Sequence, residues 1–321
     1  MDWSYECVQE TFRRMKILIT GVRSSIGAVL ARSLSECNQV IGWTRTPSLF
    51  QKSNMSVKKV DFMSSQGFPA EEDLTVVDAV IHLAAETPGS DPNFTPEKIE
   101  RFKQVNLEGM KRLIEWAHQH QVKHFIFVSS HAVDDFTDAD GIIQNPYAQS
   151  KFEAEQLLIK SGLNYTIFRP SGIYGDTPYW RSYLKEISQT SRITLMGDGS
   201  AKLQYICVDD FASAIKSSIA LEKSFGKLYR IGGGDIISKR YYFEVLKEAS
   251  KSSMQIYSIP FVIVNSLLLI LGLFSSHYKK VRANIRASRR DLTVDNDNAA
   301  VDLNYRPRIF AEGIKTVKWN S

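Results

Sequence analysis

The chain has 321 residues, 43 % of them hydrophobic, and a formal net charge of +5; it is long enough for one large α/β unit or two unequal lobes of ordinary soluble composition. The positive excess is mild and gathered late in the sequence, which argues against nucleic acid as a partner. Cys7, Cys37 and Cys207 have neither metal nor disulfide spacing, so no metal is expected and a cytoplasmic location fits; residues 1–14 lack the apolar core of a signal peptide and read as a disordered extension, with Met15 an alternative start.

Lys16–Thr20 reads as the first strand and Ser25–Glu36 as the helix after it. Between them runs TGVRSSIG, Thr20 to Gly27. Gly21 and Gly27 suit a tight turn whose N–H groups approach a pyrophosphate at a helix N-terminus. Ser24 stands where a middle glycine is usual, and Ser25 and Ile26 complete the loop. Gln39–Trp43 and Val57–Val60 are the next strands. The second ends in VIGWTRTP. Thr44 lies near the position where an acidic residue would hold the adenosine ribose of NAD, and Arg45 follows it. With Arg23 in the glycine loop, two guanidiniums match the 2′-phosphate of NADP; the alternative is a pair of solvated surface arginines. NADP is therefore favoured over NAD. Asp61 and Phe62, after the third strand, are expected at the adenine.

Asp78–Leu83 is a short apolar strand, Thr95 to about Gln119 a helix, Lys123–Ser130 a strand, Asn145–Ser161 a helix and Asn164–Arg169 a strand. This alternation predicts an α/β fold with a parallel, doubly wound Rossmann sheet. Ligands bind such sheets at the carboxyl ends of strands, where Thr20, Leu83, Ser130 and Arg169 fall. Beyond residue 172 the pattern loosens. Tyr179–Thr190 reads as a helix, Tyr205–Val208 as a strand leading into a helix from Asp209, and Leu228–Ile231 as a strand. The expected division is residues 15–172 as the dinucleotide-binding domain and 173–321 as a smaller, mostly helical substrate lobe, interleaved with it.

The chemistry is concentrated in NPYAQSK and FIFVSS. Reducing a carbonyl needs an acid for the oxygen as hydride arrives. A free tyrosine titrates near pH 10, and a neighbouring ammonium lowers that value. Tyr147 and Lys151 are four apart, so on a helix they share a face. Asn145 suits an N-cap and Pro146 the first helical position. Ser130, at the end of an apolar run, can hydrogen-bond both the substrate oxygen and the phenol.

These segments resemble the extended short-chain dehydrogenase/reductase family, in its NAD-dependent epimerase/dehydratase branch. The similarity covers about Lys16–Asn320, through TGVRSSIG, VIHLAA, VNLEGMKRLIEWA, FVSS, PYAQSK, FRPSGIYGD and YICVDD. It implies that Ser130, Tyr147 and Lys151 are catalytic, that Lys151 also holds the nicotinamide ribose, and that Asn106 supports the site. It places Leu83, Ala84, Ala85, Arg169 and Pro170 beside the cofactor. The ending is similar to bacterial surface-polysaccharide enzymes that reduce or epimerise a UDP-sugar at carbon 4, so the expected substrate partner is a nucleotide-sugar. The basic residue that usually precedes a YICVDD-like segment is replaced by Leu203 and Gln204, with Lys202 one step earlier; Lys202 and Gln204 are the substrate candidates there. His131-Ala132 after Ser130 leaves no carboxylic acid to eliminate water, which argues against a 4,6-dehydratase. The reading is an NADP(H)-dependent reductase of a 4-keto sugar. An NAD-dependent 4-epimerase, a hydroxysteroid-like dehydrogenase and a non-catalytic dinucleotide-binding scaffold are the alternatives.

His118, His120 and His124 lack zinc spacing and read as surface residues. Pro260–Phe274 is the most hydrophobic stretch, shorter than the ~20 residues a spanning helix needs. It reads as a buried helix, with peripheral attachment to an anionic membrane at the inner face as the alternative. Arg282, Arg286, Arg289 and Arg290 fall on one helical face, and Arg282 is a candidate for the substrate diphosphate. A homodimer through the helices before Asn106 and Tyr147 is also open.

Overall fold

A computed structural model describes residues 14–47, 54–64, 68–69, 76–89, 94–134, 145–275, 277–278, 281–282, 285 and 289–319. They form two units. The first holds the described residues up to Pro170 together with Phe211–Arg230 and Asp297–Tyr305; the second holds Ser171–Asp210, Ile231–Asn296 and the described residues from Arg306.

The first unit is built on strands β1 (Lys16–Thr20), β2 (Gln39–Thr44), β3 (Met55–Lys59), β4 (Ala79–His82), β5 (His124–Val128) and β6 (Tyr165–Pro170). With Lys227–Ile231 they make a seven-stranded sheet in which β1 lies between β4 and β2, β3 is one edge, and β5 and β6 continue beyond β4. β1 to β6 pair parallel. All residues of β4 and β5 are buried, as expected of a parallel sheet covered on both faces, and this is why these segments read as unbroken apolar runs. Leu18, Trp43, Val80, Met110, Leu113, Phe125, Phe127 and Leu158 belong to one core cluster, each side chain stabilising the fold by roughly 1.5–3 kcal/mol on burial.

Helix α1 (Ser25–Leu34) follows β1. The helix expected from Thr95 begins as α2 (Pro96–Phe102), capped by the Thr95 hydroxyl, widens into a π-helical turn at Lys103–Glu108 and resumes as α3 (Gly109–Gln119). Helix α4 (Pro146–Ile159) starts as expected: the Asn145 side chain accepts from the Ala148 N–H at 3.1 Å and Pro146 occupies the first turn.

Helix α6 (Val208–Ser218) follows the strand Tyr205–Cys207. The second unit contains α5 (Pro178–Gln189), α7 (Lys239–Ala249), α8 (Phe261–Leu271) and three two-stranded sheets. Its core gathers Tyr174, Trp180, Leu184, Tyr242, Leu246 and Phe310. Strands Arg192–Met196 and Gln255–Ile259, which pair parallel, were not anticipated, because both show mixed exposure without clean alternation. The apolar run is corrected more strongly. It forms α8, but Leu268 is the helix's one buried residue, so the expected burial is not observed.

Candidate active site

The glycine loop is shaped by close approach. Gly21 has φ +67°, and a Cβ there would stand 2.8 Å from the Ala84 nitrogen; one on Gly27 would stand 2.5 Å from the Gly21 carbonyl oxygen. Only glycine meets the first requirement without strain. The Ser24 hydroxyl accepts from the Gly27 N–H at 3.0 Å and so caps α1. That accounts for a serine at the middle position, and it leaves the hydroxyl proton free to donate.

Thr20 and His82 lock this loop in place. The Leu83 and Ala84 N–H groups both donate to the Thr20 hydroxyl at 3.2 Å. The hydroxyl's single proton is therefore available for His82 Nδ1, 2.7 Å away. This fixes a neutral imidazole protonated at Nε2. Burial, with the Lys151 charge adding to it, lowers His82 from its ordinary value to about 3. The unfolded chain thus binds the extra proton between pH 6.5 and 3, so stability is present above that window and is lost as pH falls through it. His124, lowered by burial to about 4, acts in the same sense. His82→Asn is expected to flatten the pH dependence of the thermal midpoint there, by at most about 1.4 kcal/mol per pH unit; an unchanged slope in pH-stepped melting would refute this role.

A cleft of about 330 Å³ lies at the carboxyl ends of β1, β2 and β4. It brings together Gly21, Arg23, Ser24, Arg45, Asp61 and Phe62 with Leu83, Ala84 and Ala85. Arg23 donates to the Thr46 carbonyl at 2.8 Å and to its hydroxyl at 2.6 Å, which carries the guanidinium to the end of β2. Thr44 and Arg45 stand on the same wall. Glu86 also lines the cleft and is paired with Arg101 at 3.0 Å. Glycine conformation and an N-terminal helix turn fit the pyrophosphate of a dinucleotide, and two arginines line the same cleft. Ser25, Ile26 and Gly27 form the first turn of α1.

Tyr147, Lys151 and Ser130 are gathered by α4 and the end of β5. Tyr147 is partly buried and packs edge-on against Phe102, ring centroids 5.7 Å apart. Burial pushes its phenol above the ordinary value, with a hydrogen bond to Ser130 opposing. The expected lowering by Lys151 is not what the geometry gives. The Lys151 ammonium is buried, donates to the Val128 carbonyl at 2.7 Å and sits 4.3 Å over the Phe127 ring. Desolvation lowers it to about 7, although the Glu155 charge raises it.

Asn106 lies in the π-helical turn and is buried. Its Oδ1 accepts from the Glu86 N–H at 2.9 Å, while Nδ2 donates to the Glu86 carbonyl at 3.1 Å and to the Ser150 hydroxyl at 2.9 Å. Asn106 thus ties the segment after β4 to α4 and positions the helix.

Other expected site residues are engaged elsewhere. Arg169 gives Nε to Glu155 at 2.9 Å and also pairs with Asp134. Its side chain is committed to a buried ion network, a correction to its expected place beside the cofactor. The Pro170 carbonyl lies 3.1 Å from His131 Nδ1. Gln204, expected at substrate, is committed at both ends of its amide: Nε2 donates to the Gly233 carbonyl at 2.9 Å and Oε1 accepts from the Val294 N–H at 2.8 Å. Lys202 lines a separate pocket of about 290 Å³ with Lys239 and Arg289. Arg282 donates to Asn265 at 2.9 Å. Arg286 lies outside the described residues, and Arg289 and Arg290 stand in a turn and bend rather than on a shared helical face. His124 is buried on β5, 2.9 Å from the Thr166 hydroxyl, and is not a surface residue.

Sequence reasoning missed His82, Ser150 and Glu155. A signal for Glu155 was present: Tyr147, Lys151 and Glu155 recur every four residues, one stripe of α4.

The model of the family described as "NAD dependent epimerase/dehydratase family" matches residues 17–232. The chain is 25% identical over 179 residues to "Photosystem II assembly factor Ycf39" of Trieres chinensis, covering 56% of this chain and 53% of that one. It is 27% identical over 188 residues to "dTDP-glucose 4,6-dehydratase" of Streptomyces griseus, covering 54% and 56%. The match thus spans about half the length of these curated relatives. Among solved structures, that of UDP-glucuronic acid 4-epimerase from Bacillus cereus in complex with NAD superposes with a TM-score of 0.72 at 20% identity, covering 95% of this chain and 98% of that one, and so shares the fold.

Proposed function

This chain belongs to the NAD dependent epimerase/dehydratase family, and we propose that within it the protein reduces the 4-keto group of a nucleotide-linked hexose with NADPH. The observation that carries this reading is the pair Arg23 and Arg45 on one wall of the cleft, with Thr44 where an acidic residue would select NAD. Gly21, Ser24 and the N-terminus of α1 would hold the pyrophosphate, Asp61 and Phe62 the adenine, and Lys151 the nicotinamide ribose.

When bound, the reduced nicotinamide supplies the hydride. Tyr147 gives its phenolic proton to the carbonyl oxygen as negative charge develops there, and Ser130 donates a hydrogen bond to the same oxygen. A phenol held above its ordinary value by burial rests in the protonated form, which suits an acid working in the reductive direction. Lys151, lowered to about 7, exchanges protons readily at neutral pH.

A 4-epimerase reading uses the same residues but retains oxidised NAD through both half-reactions; the Bacillus cereus epimerase structure with NAD favours it. A 4,6-dehydratase is supported less, since His131 and Ala132 place no carboxylic acid after Ser130.

Arg45→Ala separates the first two. Charge-assisted bonds of this kind contribute on the order of 1.5–3 kcal/mol, so the variant is expected to bind NADPH about ten- to a hundredfold more weakly while NADH binding barely changes. Paired fluorescence titrations of both cofactors read this out. Preference of the wild type for NADH, or equal loss of both, would remove the reductase reading and advance the epimerase.

A further inference from the structure

We propose that α8 and the turn after it dock the protein on the surface of an anionic lipid bilayer, an inference independent of the reaction proposed above. Val262, Ile263, Leu267, Leu269 and Ile270 are each more than half exposed. Leu273 and Phe274, just beyond the helix, are 76% and 82% exposed. At 100° per residue these side chains fall within one arc of about 160°. Phe261, Asn265, Leu268 and Gly272 lie on the opposite side, which is the side the protein holds: Leu268 and Gly272 are buried, Arg282 bonds Asn265 at 2.9 Å and Arg289 stacks 4.0 Å over Phe261. The helix thus has a protein face and a separate, contiguous apolar face, larger than the scattered exposures normal on a soluble surface. Tyr257 and Ile259, on the strand leading into α8, are exposed as well.

Charge identifies the occupant. Residues 249–290 carry seven Lys and Arg residues and no Asp or Glu, so the apolar helix is flanked in sequence by positive charge alone. A second copy seated face to face would bring two such positively charged stretches together with no carboxylate in either to neutralise them. An anionic headgroup layer supplies both the negative charge and an apolar medium beneath it. Eleven residues of helix are about 16 Å long, against about 30 Å of hydrocarbon, and no helix among the described residues is long and apolar enough to cross a membrane; α8 would therefore lie in the plane of the interface.

The test is flotation of the full chain with vesicles of phosphatidylcholine alone and of phosphatidylcholine with 30% phosphatidylglycerol, a composition of roughly physiological surface charge. The wild type is expected to float with the anionic vesicles, weakly with the neutral ones, and less as salt is raised. Leu273→Ser combined with Phe274→Ser should lower anionic partition at least about tenfold at an unchanged thermal midpoint, and Val262→Ser is the independent second variant. No flotation of the wild type, equal binding to both vesicle types, or flotation that both variants retain would each overturn the proposal. So would a wild-type dimer in sedimentation that the variants abolish, since a second copy would then cover the face. Because lipid partition requires no turnover, these failures leave the proposed reaction untouched.

Discussion

Tyr147→Phe is expected to lower turnover by about 10²–10⁴-fold, the usual contribution of a positioned general acid, while dinucleotide binding stays nearly intact. The ring would keep its edge-on contact with Phe102 at 5.7 Å, because the substitution removes only the hydroxyl. What is lost is the transferable proton and the hydrogen bond that Ser130 shares with it. The effect should fall on kcat more than on KM, since the proton is needed as charge develops and not before. Steady-state kinetics on UDP-4-keto-hexoses, beside a dinucleotide titration of the same variant, make the comparison. Activity within a factor of two of the wild type would end the acid role. Lys151→Met differs in a second respect: it is expected to weaken cofactor binding too.

Glu155→Gln is expected to destabilise the protein by about 3–5 kcal/mol, the range for removing one partner of a buried ion pair. The Glu155 side chain is fully buried and receives the guanidinium of Arg169. Arg169 also pairs with Asp134, which is shared with Arg230. Burial alone would raise the Asp134 carboxyl, but hydrogen bonds and charge from Arg230 and Arg169 outweigh it and hold it below its ordinary value. Neutralising Glu155 leaves Arg169 short of a carboxylate in the interior. The same change withdraws the charge that raises Lys151, so the lysine should fall below about 7 and shift the alkaline-to-neutral pH profile of turnover downward. Denaturant melting and the pH profile together distinguish this from simple loss of packing. An unaltered profile in a destabilised protein would confine Glu155 to a structural part.

Local rules carried the reading of the first unit far. Apolar runs of four to six residues gave its strands, because a covered parallel sheet selects for them. Asn145 and Pro146 gave the start of α4, because capping is chemistry between near neighbours. The glycine loop and the two arginines were legible for the same reason: each sits next to a strand end, and strand ends share one edge of the sheet. What stayed hidden depends on partners far along the chain. Arg169 read as a ligand because its sequence position is at a strand end, but Glu155 and Asp134 claim it. Gln204 read as a substrate residue, and only the fold shows Gly233 and Val294 at its two ends. The π-helical turn around Asn106 is invisible to a 3.6-residue periodicity, since it adds a residue without altering the apolar pattern on either side. The exposure of α8 is not legible from its composition, because an apolar run has the same sequence whether it is buried or faces outward; only the fold shows Leu268 buried and Val262, Ile263 and Leu267 exposed.

The first unit cannot close until late in synthesis, because Phe211–Arg230 and Asp297–Tyr305 belong to it. Its sheet takes a strand from Lys227–Ile231, and Asp302, in the helix Asp297–Leu303, accepts from the Tyr229 hydroxyl at 3.1 Å and pairs with Lys223 at 2.8 Å. A ribosome that has released residues up to Pro170 has therefore not released the whole unit. At ~5–20 residues per second, completion comes on the order of ten seconds later. During that interval the edge of β6 waits without its neighbouring strand, an exposed template for pairing with other nascent chains. A fragment cut at residue 172 would hold that edge open permanently, so expression of the amino-terminal half alone should yield aggregate rather than a free-standing dinucleotide-binding domain.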